Sequence, residues 1–247
     1  MRRPFIRILG SRVDQVSFSA ALECIESFLK SSSSHHVVTA NTLMCLSAEQ
    51  DLELRAIIDR ASLVVPESWG IGWASRRLGH TLPRFTPGID LLNALCQWAV
   101  EDRRSVYLLG AKPGVAEQAA AALKYRFEGL KIAGTHHGYF RAAEETDILA
   151  AIRQASPTFL FVGMTVPGQE KWIARHLKEL QVPVVMGVGG SFDVLSGRLR
   201  RAPSWMRKAG MEWMYRLIQE PWRWRRIAQL PIFAWKIMRQ SGMANGK

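Results

Sequence analysis

The chain has 247 residues, of which 48% are hydrophobic and 22% charged, so it can bury a substantial core, and a largely disordered protein is excluded. Its three cysteines are odd in number and lack metal-ligand spacing, which excludes a disulfide framework and a structural zinc site. We therefore expect Cys24, Cys45 and Cys96 to be reduced, buried thiols. The formal net charge is +12, and it is unevenly distributed along the chain.

Residues 1–16 carry early arginines but no apolar run of the roughly seven residues that a signal peptide needs, so we expect no secretory leader. Beyond them, short apolar runs alternate with longer amphipathic stretches. Strands are predicted at residues 37–40, 63–65, 106–109, 159–162 and 184–188. Helices are predicted at residues 42–60, 89–103, 115–127, 144–155 and 169–180. This alternation predicts an α/β, Rossmann-like core over residues 1–195, with a parallel sheet flanked by helices and ligands at the carboxyl ends of its strands.

Polar residues stand at the ends of the first two predicted strands. Thr39 and Asn41 close the first run, and Glu67 directly follows the second, in the segment PESWGIG. Such residues commonly cap the following helix or interact with its dipole. They also suit a binding site, where a partly buried Glu67 with a raised pKa can act as a general base. The residues alone leave both interpretations open.

Three glycine-containing loops follow the later strands. Gly110 and Gly114 lie in GAKPGVAEQ, which matches neither GxGxxG nor a P-loop, so the loop is either a phosphate-binding turn or a plain tight turn. Gln169, in VGMTVPGQEKWI, offers both a donor and an acceptor to sugar hydroxyls or a uracil edge. Gly189 and Asp193, in GVGGSFDVLSG, indicate close packing against a ligand or another backbone.

Residues 196–247, which we call the appendage, hold 12 Lys and Arg against two acids, together with five of the nine tryptophans. Basic residues favour anionic headgroups and Trp favours the membrane interface, but nucleic-acid binding or a solvated helix face fits the same composition. Its longest apolar stretch, residues 227–235, is far below the roughly 20 residues that span a bilayer. We predict a helical appendage without a membrane crossing, interrupted at Pro203, Gly210, Pro221 and Pro231.

Nearly the whole chain resembles the WecG/TagA/CpsF family of bacterial glycosyltransferases, also called glycosyltransferase family 26. The resemblance runs through TANTLM, PESWGIGWASRRLG, GAKPGVAEQAA, HHGYF and VPGQEKW to a long segment containing RAPSWM and GMEWMYRLIQEP. It implies an inverting transferase with a Rossmann-like core that needs no metal or other cofactor. It also implies that the appendage docks on the inner, cytoplasmic face of the membrane. Family members self-associate, so a homo-oligomer stays open.

The resemblance further implies a UDP-sugar donor and a polyprenyl-diphosphate-linked sugar as acceptor, for cell-surface polysaccharide synthesis. An N-acetylmannosamine donor, as in TagA members, is our first choice; UDP-glucose or a UDP-uronic acid for capsule or exopolysaccharide is the alternative. Two rival classes are a basic nucleic-acid-binding protein and a dinucleotide-dependent oxidoreductase. The chain has no known nucleic-acid recognition motif, and it lacks GxGxxG with an acid about 20 residues further on. We therefore expect no nucleic-acid partner.

By motif, the resemblance assigns substrate-pocket roles to Thr39 and Asn41 and sugar binding to Gln169. It assigns three appendage arginines to the donor diphosphate, where a guanidinium fork neutralises the leaving group. These arginines are Arg216, Arg223 and Arg226.

The chain departs from the family pattern at two places. The family usually has PDG, with Asp as the catalytic base, where this chain has PES, so Glu67 takes the base position and Ser68 and Trp69 replace smaller neighbours. A family arginine that binds substrate is matched by Arg84 in LPRFTPGID, which lies one residue further from Asp90 than the family pattern requires.

Overall fold

The computed structural model describes residues 3–83 and 85–245. Its chain begins with an antiparallel hairpin of two strands, β1 (Phe5–Ile8) and β2 (Ser11–Asp14). Asp14, at the end of β2, is fully buried; it pairs with Arg12 at 2.7 Å and accepts a hydrogen bond from the amide of Val64 at 3.0 Å. The hairpin, which was not predicted from the sequence, is thereby fastened to the edge of the main sheet.

The centre of the molecule is a parallel sheet of six strands in the order β4-β3-β8-β7-β5-β6. Its strands are β3 (His35–Ala40), β4 (Leu63–Pro66), β5 (Ser105–Gly110), β6 (Lys131–His136), β7 (Phe159–Gly163) and β8 (Val184–Gly187). Five of them confirm predicted runs. The additional strand, β6, is a partly exposed edge strand containing Gly134, and it lacks the continuous apolar run that marked the others.

Helices cover both faces of the sheet. They are α1 (Phe18–Leu29), α2 (Thr42–Gln50), α3 (Leu52–Arg60), α4 (Trp69–Arg77), α5 (Gly88–Glu101), α6 (Val115–Arg126), α7 (Glu145–Ala155), α8 (Gly168–Leu180) and α9 (Ser191–Leu195). Alternate strand residues face opposite sides: Val37 packs with α1 and α5, whereas Val38 packs with α2 and α3. The predicted α/β architecture is confirmed, and Cys24, Cys45 and Cys96 are buried free thiols.

One predicted helix is two helices. Residues 42–60 were expected to form a single helix, but the backbone is extended at Asp51 (φ −99°, ψ 93°), and α3 starts after it. The Asp51 carboxylate accepts a hydrogen bond from the amide of Leu54 at 3.0 Å, so it caps the new helix. The prediction was wrong because the apolar periodicity continues across a residue that favours the N-cap position.

The described part of the appendage is helical, as predicted. It contains α10 (Ser204–Lys208), α11 (Glu212–Gln219), a 3-10 turn (Pro221–Arg223), α12 (Trp224–Ile227) and α13 (Leu230–Asn245). Pro231 does not interrupt α13, because it lies in the first turn, where a missing N–H costs no helical hydrogen bond. Among the described residues no helix is both long and apolar enough to cross a bilayer.

The last helix packs onto the core. Phe233 and Ile237 are buried in one apolar cluster with the N-terminal hairpin and α2. The side chain of Gln240 donates to the carbonyl of Arg7 and accepts from the amide of Leu9, both at 3.1 Å. The appendage is therefore attached at both ends, to α9 through the chain and to the hairpin through α13. The predicted boundary at residue 195 coincides with the end of α9 and stays a prediction.

Candidate functional site

A cavity of about 1490 Å³ opens at the carboxyl ends of the strands, where the sequence placed the ligand. Its floor is formed by residues that follow strands β3, β4, β5, β7 and β8, and its roof by α11, α12 and the turn between them. Nine predicted site residues line it: Thr39, Asn41, Glu67, Gln169, Gly189, Asp193, Arg216, Arg223 and Arg226.

Glu67 is partly buried in the floor and held by hydrogen bonds to both carboxylate oxygens. Oε2 accepts from the side-chain amide of Asn41 at 3.1 Å, and Oε1 accepts from the backbone amide of Gly88, at the start of α5, at 3.3 Å. Burial raises the pKa of Glu67 above its usual range, and these two hydrogen bonds and the charge of Arg216 oppose the rise. The carboxylate is thus oriented and poised for proton transfer.

Asn41 has two functions at once. Its Oδ1 accepts from the amide of Met44 at 3.0 Å and caps α2, while its Nδ2 donates to Glu67. The capping interpretation therefore holds for Asn41, and its role in the substrate pocket stays a prediction. Thr39, in contrast, donates to the carbonyl of Gly187 at 3.1 Å and so ties β3 to the end of β8.

The side chain of Gln169 is 1% exposed, and its hydrogen bonds connect two loops of the cavity. Its Oε1 accepts from the amides of Met164, after β7, and Gly189, after β8, at 3.2 and 2.9 Å. Its Nε2 donates to Glu170 at 2.7 Å, so the observed contacts are all internal. The sugar-binding role of Gln169 stays a prediction.

A buried chain of hydrogen bonds lies behind Gln169. Glu170 is fully buried, and its second oxygen lies 2.7 Å from Nε2 of His36, which is 3% exposed on β3. A Cβ atom at Gly187 would collide with the side chains of Gln169 and Glu170, so glycine is required there for the pair to cross β8. The chain His36–Glu170–Gln169 thus holds the Gly189 loop in place.

The appendage arginines gather above the loop that follows β8. A Cβ atom built on Gly190 would lie 3.3 Å from Nη1 of Arg216 and 3.9 Å from Nη2 of Arg223, with Asp193 at 3.7 Å. Arg223 also pairs with Glu220 at 2.5 Å, and burial lowers its pKa from the usual value. Two guanidinium groups thus lie on one wall of the cavity, beside the carboxylates of Asp193 and Glu220, where they can donate hydrogen bonds to the oxygens of an anion.

Two predicted substrate residues, Gly110 and Gly114, fall outside the cavity. Gly110 packs directly against the carbonyl of Gly163 on β7, and Gly114 is exposed in a left-handed conformation (φ 82°) at the start of α6. Neither lines the cavity, although their loop neighbours Ala111 and Lys112 do. Arg84 lies outside the described residues.

Several cavity residues were not singled out from the sequence. Tyr139 comes from the HHGYF segment after β6, and Arg175 from the third turn of α8. Trp69 of the core and Trp213 of the appendage also line the cavity. The HHGYF segment was recognised as a motif, but its place beside the cavity depends on β6, which the sequence did not reveal.

Comparison with known proteins agrees with this geometry. The family model described as Glycosyl transferase WecG/TagA/CpsF family matches residues 6–246. Proteins named N-acetylglucosaminyldiphosphoundecaprenol N-acetyl-beta-D-mannosaminyltransferase from Staphylococcus aureus strains MW2, NCTC 8325 / PS 47 and COL are each 36% identical over 234 residues, covering 94% of this chain and 91% of each relative. The match thus includes the strand-end residues of the cavity as well as the arginines of its roof. This chain belongs to the WecG/TagA/CpsF family of glycosyl transferases.

Proposed function

We propose that the protein transfers a hexosyl group, N-acetylmannosamine as first choice, from a UDP-sugar to a sugar linked to undecaprenyl diphosphate. The observation that carries this proposal is the placement of a partly buried carboxylate, Glu67, in one cavity with the appendage arginines. The name of the S. aureus relatives supports the acceptor class and the sugar. UDP-glucose and UDP-uronic acids are the alternative donors, because Glu67, Ser68 and Trp69 differ from the usual family segment.

The reaction we propose is a single displacement. Glu67 removes the proton from the attacking hydroxyl of the acceptor sugar, and that oxygen forms a bond to the anomeric carbon of the donor. The bond from this carbon to the UDP oxygen breaks, and UDP leaves with the electron pair towards Arg216, Arg223 and Arg226. Attack opposite the leaving group inverts the anomeric configuration.

We propose that arginine side chains, rather than a metal ion or another cofactor, neutralise the leaving diphosphate. A planar guanidinium donates two parallel hydrogen bonds to phosphate oxygens and stays charged at all working pH values. Support comes from the convergence of Arg216 and Arg223 on the Gly190 loop. Addition of a chelator should leave the rate unchanged, whereas a rate that depends on added Mg²⁺ would overturn this part of the proposal.

We also propose that the appendage rests on the cytoplasmic face of the membrane. Five of its tryptophans are 45–70% exposed, as are Ile218, Ile232 and Met238, and basic residues surround them. Half-exposed Trp and Arg suit the interface between anionic headgroups and acyl chains. A lipid-linked acceptor would then reach the cavity without leaving the bilayer. The tryptophans are Trp205, Trp213, Trp222, Trp224 and Trp235.

The test is a donor and acceptor panel with the full chain. UDP-N-acetylmannosamine, UDP-glucose and a UDP-uronic acid are each incubated with short-chain prenyl-diphosphate-GlcNAc or prenyl-diphosphate-glucose, and product mass is measured. A product with one added hexose unit and β linkage is expected. Absence of transfer from every UDP-sugar, or binding of NAD or oligonucleotides in place of UDP, would overturn the proposal.

A further inference from the structure

Trp69 lies where the appendage meets the core. It is the first residue of α4, follows Glu67 by two positions, and is 42% exposed beside the cavity. Gly210 ends α10 with φ 75°, and a Cβ atom there would stand 2.7 Å from Cγ and Cδ2 of the Trp69 ring. The appendage backbone therefore rests directly on the indole, at a distance that only glycine permits.

A second contact joins the appendage to the other side of Glu67. Arg201 forms a bidentate ion pair with Asp90, with nitrogen–oxygen distances of 2.6 and 2.7 Å. Asp90 lies in the first turn of α5, and the amide of Gly88, which opens the same helix, is the one that donates to Glu67. The two contacts thus attach the appendage to the two elements that flank the carboxylate.

The segment that follows these contacts carries charged residues that line the same cavity as Glu67. Glu212 and Arg216, both on α11, act on the carboxylate electrostatically, and α11 begins two residues after Gly210. The backbone amide of Met211 donates to the carbonyl of Met206 at 2.9 Å, and that of Gly210 to Arg207 at 3.2 Å. This hydrogen-bonded helix end fixes the direction in which α11 leaves Trp69.

We propose that Trp69 is a positioning residue and that the contacts Trp69–Gly210 and Asp90–Arg201 form a latch, which holds Arg216 over Glu67 while it is closed. The inference rests on the proposed function, because it assigns the latch to the same transfer reaction. The large ring of Trp69 thereby has a structural role in the active site. It supports the appendage, whereas Glu67 and the arginines are the residues that contact the substrate.

The first test compares two glycines that share a backbone conformation. Gly210→Ala and Gly197→Ala both place alanine at a left-handed position (φ 75° and 79°), but among the described residues only the former meets another group within 4 Å. Backbone strain is therefore matched, and the difference between the variants reports the contact with Trp69. We expect kcat of Gly210→Ala to fall on the order of 10- to 100-fold below that of Gly197→Ala, with similar melting temperatures.

Double variants separate positioning from substrate binding. In a Trp69→Ala background, the additional effect of Gly210→Ala over Gly197→Ala should vanish, because the ring that it meets is gone. In an Arg216→Ala background, Trp69→Ala should change kcat less than about twofold, because the group that the latch positions is already missing. Trp69→Phe, which keeps a flat ring, should recover most of the rate.

The results that would overturn the latch are distinct from failure of the proposed function. Equal kcat values for Gly210→Ala and Gly197→Ala would overturn it. The latch would also be overturned if Trp69→Ala changed the acceptor KM as much in the Arg216→Ala background as in the parent, because that result indicates direct contact between Trp69 and the sugar. If a variant at position 69 or 210 does not fold, Asp90→Asn tests the second contact, and an unchanged kcat contradicts the latch. A parent protein without transfer activity contradicts the proposed function itself.

Discussion

At the scale of single residues, Glu67 is the group on which the proposed chemistry depends. Glu67→Gln preserves size and one acceptor but cannot take a proton, so we expect kcat to fall on the order of 10² to 10⁴ with little change in UDP affinity. Product formation and UDP calorimetry measure the two effects. Glu117→Gln, an exposed residue on α6, is the matched control and should keep full activity. Normal turnover by Glu67→Gln would remove Glu67 from the mechanism.

The raised pKa of Glu67 predicts how the rate responds to acid. A general base works only when deprotonated, so kcat/KM should decline as pH falls through a pKa above the roughly 4.3 of an unperturbed glutamate. The effect on stability has the opposite sign. Because the folded state binds this proton more tightly than the unfolded state does, the contribution of Glu67 to the free energy of unfolding falls as pH rises through its pKa in the folded protein. The melting temperature of Glu67→Gln minus that of the parent should therefore be larger at pH 8 than at pH 4. A pH-independent difference would contradict the shift.

At the scale of elements, the chain His36–Glu170–Gln169 connects β3, α8 and the loops after β7 and β8. Glu170→Ala leaves a buried histidine and a buried amide without their acceptor, so we expect a loss of about 3–5 kcal/mol in the free energy of unfolding. Urea denaturation measures it. The control is Glu145→Ala at the start of α7, which removes a carboxylate that is 21% exposed and lies 3.2 Å from His176 on α8. A Glu170→Ala loss no greater than the control's would refute the structural role.

The elements also show how far the sequence could be interpreted. The strand ends were predictable because apolar runs stop at Asn41, Glu67 and Gly189, and the carboxyl ends of parallel strands meet at one edge. The hairpin and β6 were not predictable, because charged residues interrupt the sequences of β1 and β2 and a glycine interrupts β6, so none of the three has a continuous apolar run. The internal bonding of Gln169 was equally hidden, since it depends on contacts with Gly189 across 20 residues. The arginine roof was expected only through the family resemblance.

At the scale of the whole molecule, the exposed aromatic residues of the appendage predict where the protein binds. Replacement of Trp222, Trp224 and Trp235 by Ala should strongly reduce cosedimentation with vesicles containing anionic lipid, because each indole contributes interfacial affinity. Tyr125→Ala removes an aromatic ring that is 95% exposed on α6 and should have no effect. Equal vesicle binding by the triple variant and the parent would contradict membrane docking through this face. Sedimentation of the parent without vesicles tests self-association, which stays a prediction.

The hydrogen bond between Gln240 and Arg7 joins residues 233 positions apart. Contacts of such separation close the longest loops of a chain and form late in folding, since ordering so much polypeptide for one contact is entropically costly. During synthesis, the hairpin emerges long before α13, so the apolar hairpin surface that packs against Phe233 and Ile237 stays uncovered until α13 has been made. The attachment of the appendage is therefore completed late, because a nascent chain interrupted before residue 230 carries the contacts of Gly210 and Arg201 with the core but not the packing of α13 on the hairpin. The second attachment of the appendage thus forms at the end of folding, when the two distant segments meet.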